Sequence, residues 1–462
     1  MGKYFGTDGY RGEANVALSA ENAFRAGQFL GWYYGEQKRQ NGAGERARVV
    51  IGKDPRLSSY MLEDALSAGL TSSGADVFLL HVTTTPSVSF IARTEDFDCG
   101  IMISASHNPY YDNGLKLVNG MGEKMSEAVT ELLEAYLDGN LHAFGKSWGG
   151  SVPPARRERI GRTVDYFAGR NRYIGYLVSL ATCSYRGKRI GLDCANGSAF
   201  MIAPGVFNAL GAKTYPIHDA PDGVNINRGA GSTHVEALRA LVREKGLDIG
   251  FAFDGDADRC ICVDEKGNVA DGDSILYLCA RHLKERGELE RDAIVTTVMS
   301  NFGLSKALGR LGIRCETTQV GDRFVYESML KNGYSLGGEQ SGHIIFSKYA
   351  TTGDGILTAI QVMEILAERE LPLSALTQPF QKYPQVLKNV RTERGGALLE
   401  EPKVLLALRS AEQRLFGAGR MLVRASGTEP LVRVMAEGES FSLCEDCVGE
   451  VVAALVAAGG EL

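Results

Sequence analysis

The chain has 462 residues, too many for one ordinary hydrophobic core and enough for three or four units of about 100–150 residues each. Its hydrophobic (44%) and charged (23%) fractions are those of a globular protein, and a net charge of −6 argues against a nucleic-acid backbone as the main partner. The 56 glycines exceed the usual share of about 7% and predict many tight loops lined by backbone.

The N-terminal stretch carries no apolar leader, and the longest apolar run, Val451 to Ala458, is far short of a membrane span. A cytoplasmic protein without a membrane partner is expected. Phe5-Gly6-Thr7-Asp8-Gly9-Tyr10-Arg11-Gly12 is a glycine-rich turn with one arginine, a weak signal by itself. Arg48 to Gly52 then reads as a buried strand, Ser59 to Ser72 as a helix, and Gly74 to Leu80 as a helix stop followed by a second strand. The same order returns at Arg189–Leu192, Ala199–Leu210 and Gly211–Tyr215, and again at Ala293–Thr297, Leu304–Leu311 and Gly312–Cys315. Three such βαβ units predict three related α/β domains on largely parallel sheets. The last ninety or so residues differ: strands at Met421–Arg424 and Leu431–Met435 flank a polar loop, and an amphipathic helix follows over Ser442–Ala457. Seams at the Gly-, Pro- and Arg-rich stretch 145–159 and before Leu371-Pro372 place the domains at 1–155, 156–265, 266–372 and 373–462.

The loops that follow strands carry the chemistry. Asp254-Gly255-Asp256-Ala257-Asp258-Arg259 sets three carboxylates at alternate positions after the apolar run Ile249–Phe253. On a curled loop they converge on one hard cation, with Mg²⁺ on carboxylate and phosphate oxygens the common arrangement. A calcium EF-hand shares the spacing, even to Glu265 at its twelfth position, but its sixth position here is Arg259 and the flanks read as strands. Ser106 follows the strand Ile101–Ile103 and stands beside His107, Asn108 and, further on, Lys116, a setting for a nucleophile or phosphate carrier; a serine-hydrolase elbow is absent. Its bland alternative is a serine turn capping the next segment. Gly337-Gly338-Glu339-Gln340-Ser341-Gly342-His343 mixes a carboxylate, a hydroxyl and an imidazole, suited either to sugar hydroxyls or to a plain structural turn. Arg424-Ala425-Ser426-Gly427-Thr428-Glu429 offers a guanidinium, two hydroxyls and backbone N–H groups as an anion nest, with Arg433 as a second fork. Gly321-Asp322-Arg323 reads as a charged turn making an inter-domain salt bridge.

The nine cysteines are odd in number and scattered, so disulfides are not expected. Cys444 and Cys447 form a single C-x-x-C in a helical pattern without a second ligand pair, which leaves metal or redox use as the lesser expectation beside a structural one.

Taken in order, KYFGTDGYRG (3–12), GKDPRLSSYMLEDA (52–65), ISASHNPYYDNGLK (103–116), DCANG (193–197), PDGVNINRGAGSTH (221–234), FDGDADR (253–259), VGDR (320–323), GGEQSGHII (337–345), YATTGDG (349–355) and RASGTEP (424–430) resemble the α-D-phosphohexomutases over essentially the whole chain. The sugar loop and the V-N-I-N…G-S-T-H segment resemble the glucosamine branch of that family. The resemblance implies four domains around one central cleft: three related mixed-sheet α/β domains and a smaller α+β domain. It implies interconversion of glucosamine 6-phosphate and glucosamine 1-phosphate, feeding UDP-N-acetylglucosamine and cell-wall synthesis, with a phosphosugar as the small-molecule partner and a homodimer as the assembly. By carry-over, Ser106 bears the phosphate, and Asp254, Asp256 and Asp258 hold one Mg²⁺ together with a phosphoserine oxygen. Glu339 and Ser341 grip sugar hydroxyls, and Arg424, Ser426, Gly427 and Thr428 hold the phosphate that is not transferred. Arg11, His107, Lys116, Arg259 and His343 surround the group in transfer. Glucosamine 1,6-bisphosphate is the implied intermediate and activator. The alternatives are the same chemistry on glucose or mannose phosphates, and a non-catalytic sugar-phosphate sensor; the sensor has no use for a phosphate-carrying serine.

Overall fold

The structure is a computed structural model that describes residues 3–6, 8–42, 46–140, 152–392, 394–425 and 430–461. Two compact units form, one from 1–299 with 316–377 and one from 300–315 with 378–462.

The larger unit contains three sheets. In the first, the parallel strands Cys99–Ile103, Arg48–Lys53, Asp76–Val82 and Thr163–Asp165 lie side by side in that order. Beyond Cys99–Ile103 the sheet continues antiparallel through Asp112–Asn119, Gly9–Glu13 and Phe5–Gly6. Thr163–Asp165 therefore completes the first sheet, past the boundary expected after residue 155. The helix Leu57–Ser72 joins two of the parallel strands, as the βαβ reading requires. It packs on Ala20–Gln40, whose start is fixed by a capping box between Ser19 and Asn22. The two backbones approach so closely that a Cβ on Gly69 would lie 2.0 Å from the Phe24 carbonyl oxygen.

The second sheet runs Val269–Ala270, Cys260–Val263, Ile249–Phe253, Arg189–Asp193, Lys213–Ile217, parallel across its last three strands. Cys260–Val263 turns back antiparallel on Ile249–Phe253, and that hairpin holds the three-aspartate loop at its tip. In the third sheet Ala293–Thr297 has residues 316–318 along one edge and Leu336–Gly338, then Ile344–Phe346, on the other. Each sheet has its own apolar layer, with Val49, Ile51, Ile101, Phe251, Val295 and Leu336 all fully buried. The sheets are mixed because each parallel core ends in an antiparallel return, and those returns carry the loops of interest.

The smaller unit is an antiparallel sheet, Gln385–Arg391, Leu431–Gly438, Gly419–Ala425, covered by the helices Pro402–Leu415 and Phe441–Ala457. Gln385–Arg391 has an exposed, alternating pattern that the sequence reading passed over. Helix Phe302–Arg310, expected in the third domain, belongs to this unit. Its first N–H donates to Glu437 at 3.0 Å, and the amide of Asn301 donates to the Tyr383 carbonyl at 3.0 Å. Cys444 and Cys447 lie in the apolar core of this unit, where burial pushes both thiols up. Among the described residues no helix is long and apolar enough to cross a membrane.

Candidate active site

The site is assembled from the ends of strands in three sheets of the larger unit. Cys99–Ile103 leads into Ser104-Ala105-Ser106, and the chain reverses there with Ser106 at φ +52°, in the left-handed region that costs an ordinary residue about 1–2 kcal/mol. Ala257, at the centre of the aspartate loop, has φ +57°, and Ala195, Asn196 and Asn227 from neighbouring loops are also left-handed. Strain gathered on non-glycine residues in this way marks a site that the surrounding structure over-determines.

Asp254, Asp256 and Asp258 are buried, and one oxygen of each lies within 4.8 Å of the others. The Ser106 hydroxyl donates to Asp254 Oδ2 at 2.5 Å, and the Arg259 N–H donates to the other oxygen of Asp254 at 3.2 Å. Asp256 accepts from the Thr85 hydroxyl at the N-terminus of helix Thr85–Thr94, where the helix dipole favours negative charge. Lys116, on the antiparallel strand Asp112–Asn119, donates to Asp256 at 2.7 Å and to Asp258 at 2.9 Å. The second oxygen of Asp256 is buried without a hydrogen-bond partner. Asp258 Oδ1 is likewise buried without a hydrogen-bond partner, and three converging hard oxygen donors, two of them unpartnered, fit a divalent cation such as Mg²⁺.

Electrostatics divides the three acids. Burial, with Asp258 and Asp256 nearby, pushes the Asp254 carboxyl up to about 8. Burial works in the same direction at Asp258, but Lys116, His343 and Arg259 hold it well below the usual carboxylate range. Burial opposes the charge on Lys116; Asp256, Asp258 and Asp8 outweigh it and hold the ammonium well above its ordinary value.

The remaining expected residues gather around this centre. His107 Nδ1 lies 3.3 Å from Ser106 Oγ, and burial, then Arg259 and Arg11, depress the imidazole to about 4, so it is neutral at physiological pH. The Arg259 guanidinium is 4.0 Å from Asp258. His343 Nε2 accepts from the Gly353 N–H at 3.0 Å, and its Nδ1 faces Asp258 at 3.8 Å. Arg11 pairs with Asp8, which also lies 3.5 Å from Lys116 and 3.2 Å from Lys124. The Nε groups of Arg11 and Arg259 are buried without a hydrogen-bond partner, donors that an anion would satisfy. Glu339 accepts from the Gly321 N–H at 3.1 Å, and the Ser341 hydroxyl is buried without a partner. A cavity of about 510 Å³ reaches this group, with Asp8, Lys116, Asp258 and Asp322 in its wall.

Arg424 and Arg433 lie in the smaller unit as cross-strand partners on one face of its sheet. Like charges placed opposite one another repel, and an anion between them would relieve that repulsion. Ser426, Gly427 and Thr428 lie outside the described residues.

The sequence reading missed four contributors. Asp8 is the hub of the cations Arg11, Lys116 and Lys124, and its neighbour Arg11 was the only signal for it. Thr85 touches Asp256 directly. Lys124 pairs with Asp322 at 2.5 Å, which locates one salt bridge of the charged turn, and Arg323 supplies another to Glu127 at 2.6 Å. Arg56 lies beneath Ser106 and had no signal beyond its place in GKDPRLSS.

The chain matches the phosphoglucomutase/phosphomannomutase family in four segments: α/β/α domain I at 2–142, domain II at 171–267, domain III at 271–383 and the C-terminal domain at 387–454. It belongs to that family. It is 59% identical to the phosphoglucosamine mutase of Lachnospira eligens and 47% identical to that of Bacillus subtilis, in each case over 98% of both chains. A solved phosphoglucomutase/phosphomannomutase family protein from Burkholderia thailandensis shares its fold, with a TM-score of 0.79 at 24% identity over 99% of this chain and 98% of that one.

Proposed function

We propose that this protein is an isomerase that interconverts glucosamine 6-phosphate and glucosamine 1-phosphate by phosphoryl transfer through Ser106. The observation that carries the transfer chemistry is the meeting of the Ser106 hydroxyl with Asp254 at 2.5 Å, inside a ring of buried carboxylates and cations. The choice of sugar rests on the phosphoglucosamine mutases to which the chain is similar over nearly its full length.

Phosphoryl transfer needs in-line placement and charge neutralisation more than covalent activation. Asp254, Asp256 and Asp258 would hold Mg²⁺ with an oxygen of the phosphorylated Ser106. Bound there, the ion would offset negative charge on the group in transfer. Lys116, held protonated, and the free guanidinium N–H groups of Arg11 and Arg259 supply fixed positive charge on the same side. Phospho-Ser106 gives its phosphoryl group to one sugar hydroxyl, leaving a bisphosphorylated sugar and a free serine. After the sugar turns over, its other phosphoryl group returns to Ser106 Oγ. Glu339 and Ser341 suit sugar hydroxyls present in both orientations, and Arg424 and Arg433, with Ser426, Gly427 and Thr428, suit the phosphate that stays.

The test is a comparison of specificity constants for glucosamine 6-phosphate, glucose 6-phosphate and mannose 6-phosphate with Mg²⁺, alongside mass spectrometry for phosphate on Ser106. The glucosamine substrate should be preferred and Ser106→Ala should be inactive. Preference for glucose or mannose phosphate would reassign the sugar, and an active Ser106→Ala would remove the mechanism.

A further inference from the structure

Ser106 sits in a backbone conformation that a serine does not adopt cheaply, and both of its main-chain polar groups are held by one buried network. Its N–H donates to Ser104 Oγ at 2.9 Å, and the Ser104 hydroxyl donates to Asp54 at 2.6 Å. Asp54 accepts from Arg56 Nε at 2.8 Å, and Arg56 Nη2 returns to the Ser106 carbonyl at 2.9 Å, which closes a ring. The side chains of Asp54 and Arg56 are both fully buried. Every other guanidinium hydrogen bond of Arg56 goes to the same turn: Nη2 to the Asn108 carbonyl at 3.0 Å, and Nη1 to the carbonyls of Asp112 at 3.1 Å and of Pro109. A second donor arrives from a different sheet's loops. Asn227 Nδ2 gives hydrogen bonds to the Ser106 carbonyl at 2.8 Å and to the Asn108 carbonyl at 3.0 Å, the same two acceptors that Arg56 Nη2 serves. Asn227 is itself left-handed, at φ +59°.

We infer that Arg56 and Asn227 are positioning residues that clamp the Ser106 turn and aim its Oγ at Asp254, an inference that rests on Ser106 being the phosphoryl carrier. A buried arginine contributes little net stability once the desolvation of its charge is counted. Placed here, with Nε on Asp54 and both terminal nitrogens on the carbonyls of one turn, it restricts the reacting oxygen to one position. Asn227 ties that turn to the loops of the second sheet, so the serine and the aspartates are set relative to each other. A misplacement of about 1 Å at such a centre costs roughly 100-fold in rate. The roles separate cleanly: neither side chain needs to touch substrate, and both act through main-chain carbonyls.

The experiment measures transfer from the isolated phosphoenzyme to glucosamine 6-phosphate in a single turnover, with steady-state kcat and KM, for Asn227→Asp, Arg56→Lys and Ser106→Ala. Asn227→Asp keeps size and shape but turns the shared donor into an acceptor facing two carbonyls. It should keep the wild-type far-ultraviolet circular dichroism at the assay temperature, transfer about 100-fold more slowly and keep its KM. Arg56→Lys should show the same pattern, since an ammonium cannot reach all four carbonyls. Wild-type transfer in both variants, with Ser106→Ala inactive, overturns the clamp alone. A loss that comes with a raised KM and a collapsed circular dichroism signal in both variants also overturns it, as a merely structural effect. An active Ser106→Ala overturns the clamp together with the reading on which it rests.

Discussion

The ammonium of Lys116 stands 2.7 Å from the carboxylate of Asp256, both side chains buried, although 140 residues separate them in the chain. The pair joins the antiparallel return of the first sheet to the aspartate loop of the second. Lys116 also helps to hold the Asp258 carboxyl well below the usual carboxylate range, and at Asp256 it opposes the burial that pushes the carboxyl up.

Removing that cation should therefore be expensive. Lys116→Met leaves two buried carboxylates without their shared partner, and an expected loss of about 3–5 kcal/mol of stability follows. Chemical denaturation of the two proteins side by side measures it. Millimolar Mg²⁺ should restore part of the loss, because the ion would neutralise the same oxygens. A variant as stable as the wild type would show that the pair is energetically idle.

Metal dependence has its own test. Asp256→Asn removes one charge from the converging oxygens and should weaken Mg²⁺ binding by about tenfold or more, read by calorimetric titration. Turnover by the wild type should stop in excess EDTA and return with added Mg²⁺. Equal magnesium affinity in Asp256→Asn would place the ion elsewhere.

Close approach of two loops predicts a third result. A Cβ on Gly255 would lie 2.5 Å from the Ser106 carbonyl oxygen, which is backbone and already holds two hydrogen bonds. Gly255→Ala should push the aspartate loop away from Ser106 and lower kcat by about 100-fold, while the far-ultraviolet circular dichroism stays unchanged. A fully active Gly255→Ala would mean the loops have slack that the packing does not show.

A pH effect follows from Asp354, the N-cap of helix Gly355–Arg369, which accepts from the Leu357 N–H at 2.9 Å and the Tyr173 hydroxyl at 2.8 Å. Burial raises its carboxyl from 3.8 to about 6 against those hydrogen bonds. The folded protein thus holds this proton more tightly than the unfolded chain does. The resulting stabilisation, about 3 kcal/mol, is complete below pH 4 and is lost as pH rises through about 6. Asp354→Asn does not titrate, so the stability difference between wild type and variant should fall across that window and level off above pH 7. A difference that is flat from pH 4 to 7 would contradict the assignment.

The three βαβ repeats were legible because each combines a short apolar strand with a helix of clear periodicity; the strands and helices form at all three places, and only the third repeat's helix groups with another sheet. The aspartate loop was legible for a similar reason, since acids at alternate positions after a buried strand have few structural uses. Strand Gln385–Arg391 was not, because one exposed face and scattered charges hide its period. The grouping of helix Phe302–Arg310 with the C-terminal sheet also escaped. It depends on a buried carboxylate, Glu437, that lies 135 residues away from Phe302.

From sequence alone came the repeated α/β construction, the family resemblance, and the candidates Ser106, Asp254, Asp256, Asp258 and Lys116, which the structure brings together. Only the tertiary structure revealed that Asp8 gathers three cations and that Arg56 and Asn227 share the carbonyls of Ser106 and Asn108. The physical reason is the nature of those bonds. A hydrogen bond to a main-chain carbonyl is available at every position of a chain, so no spacing or residue pattern marks which carbonyl will be used. That choice is made only when distant loops are brought together, and here it sets the backbone that carries the Ser106 hydroxyl.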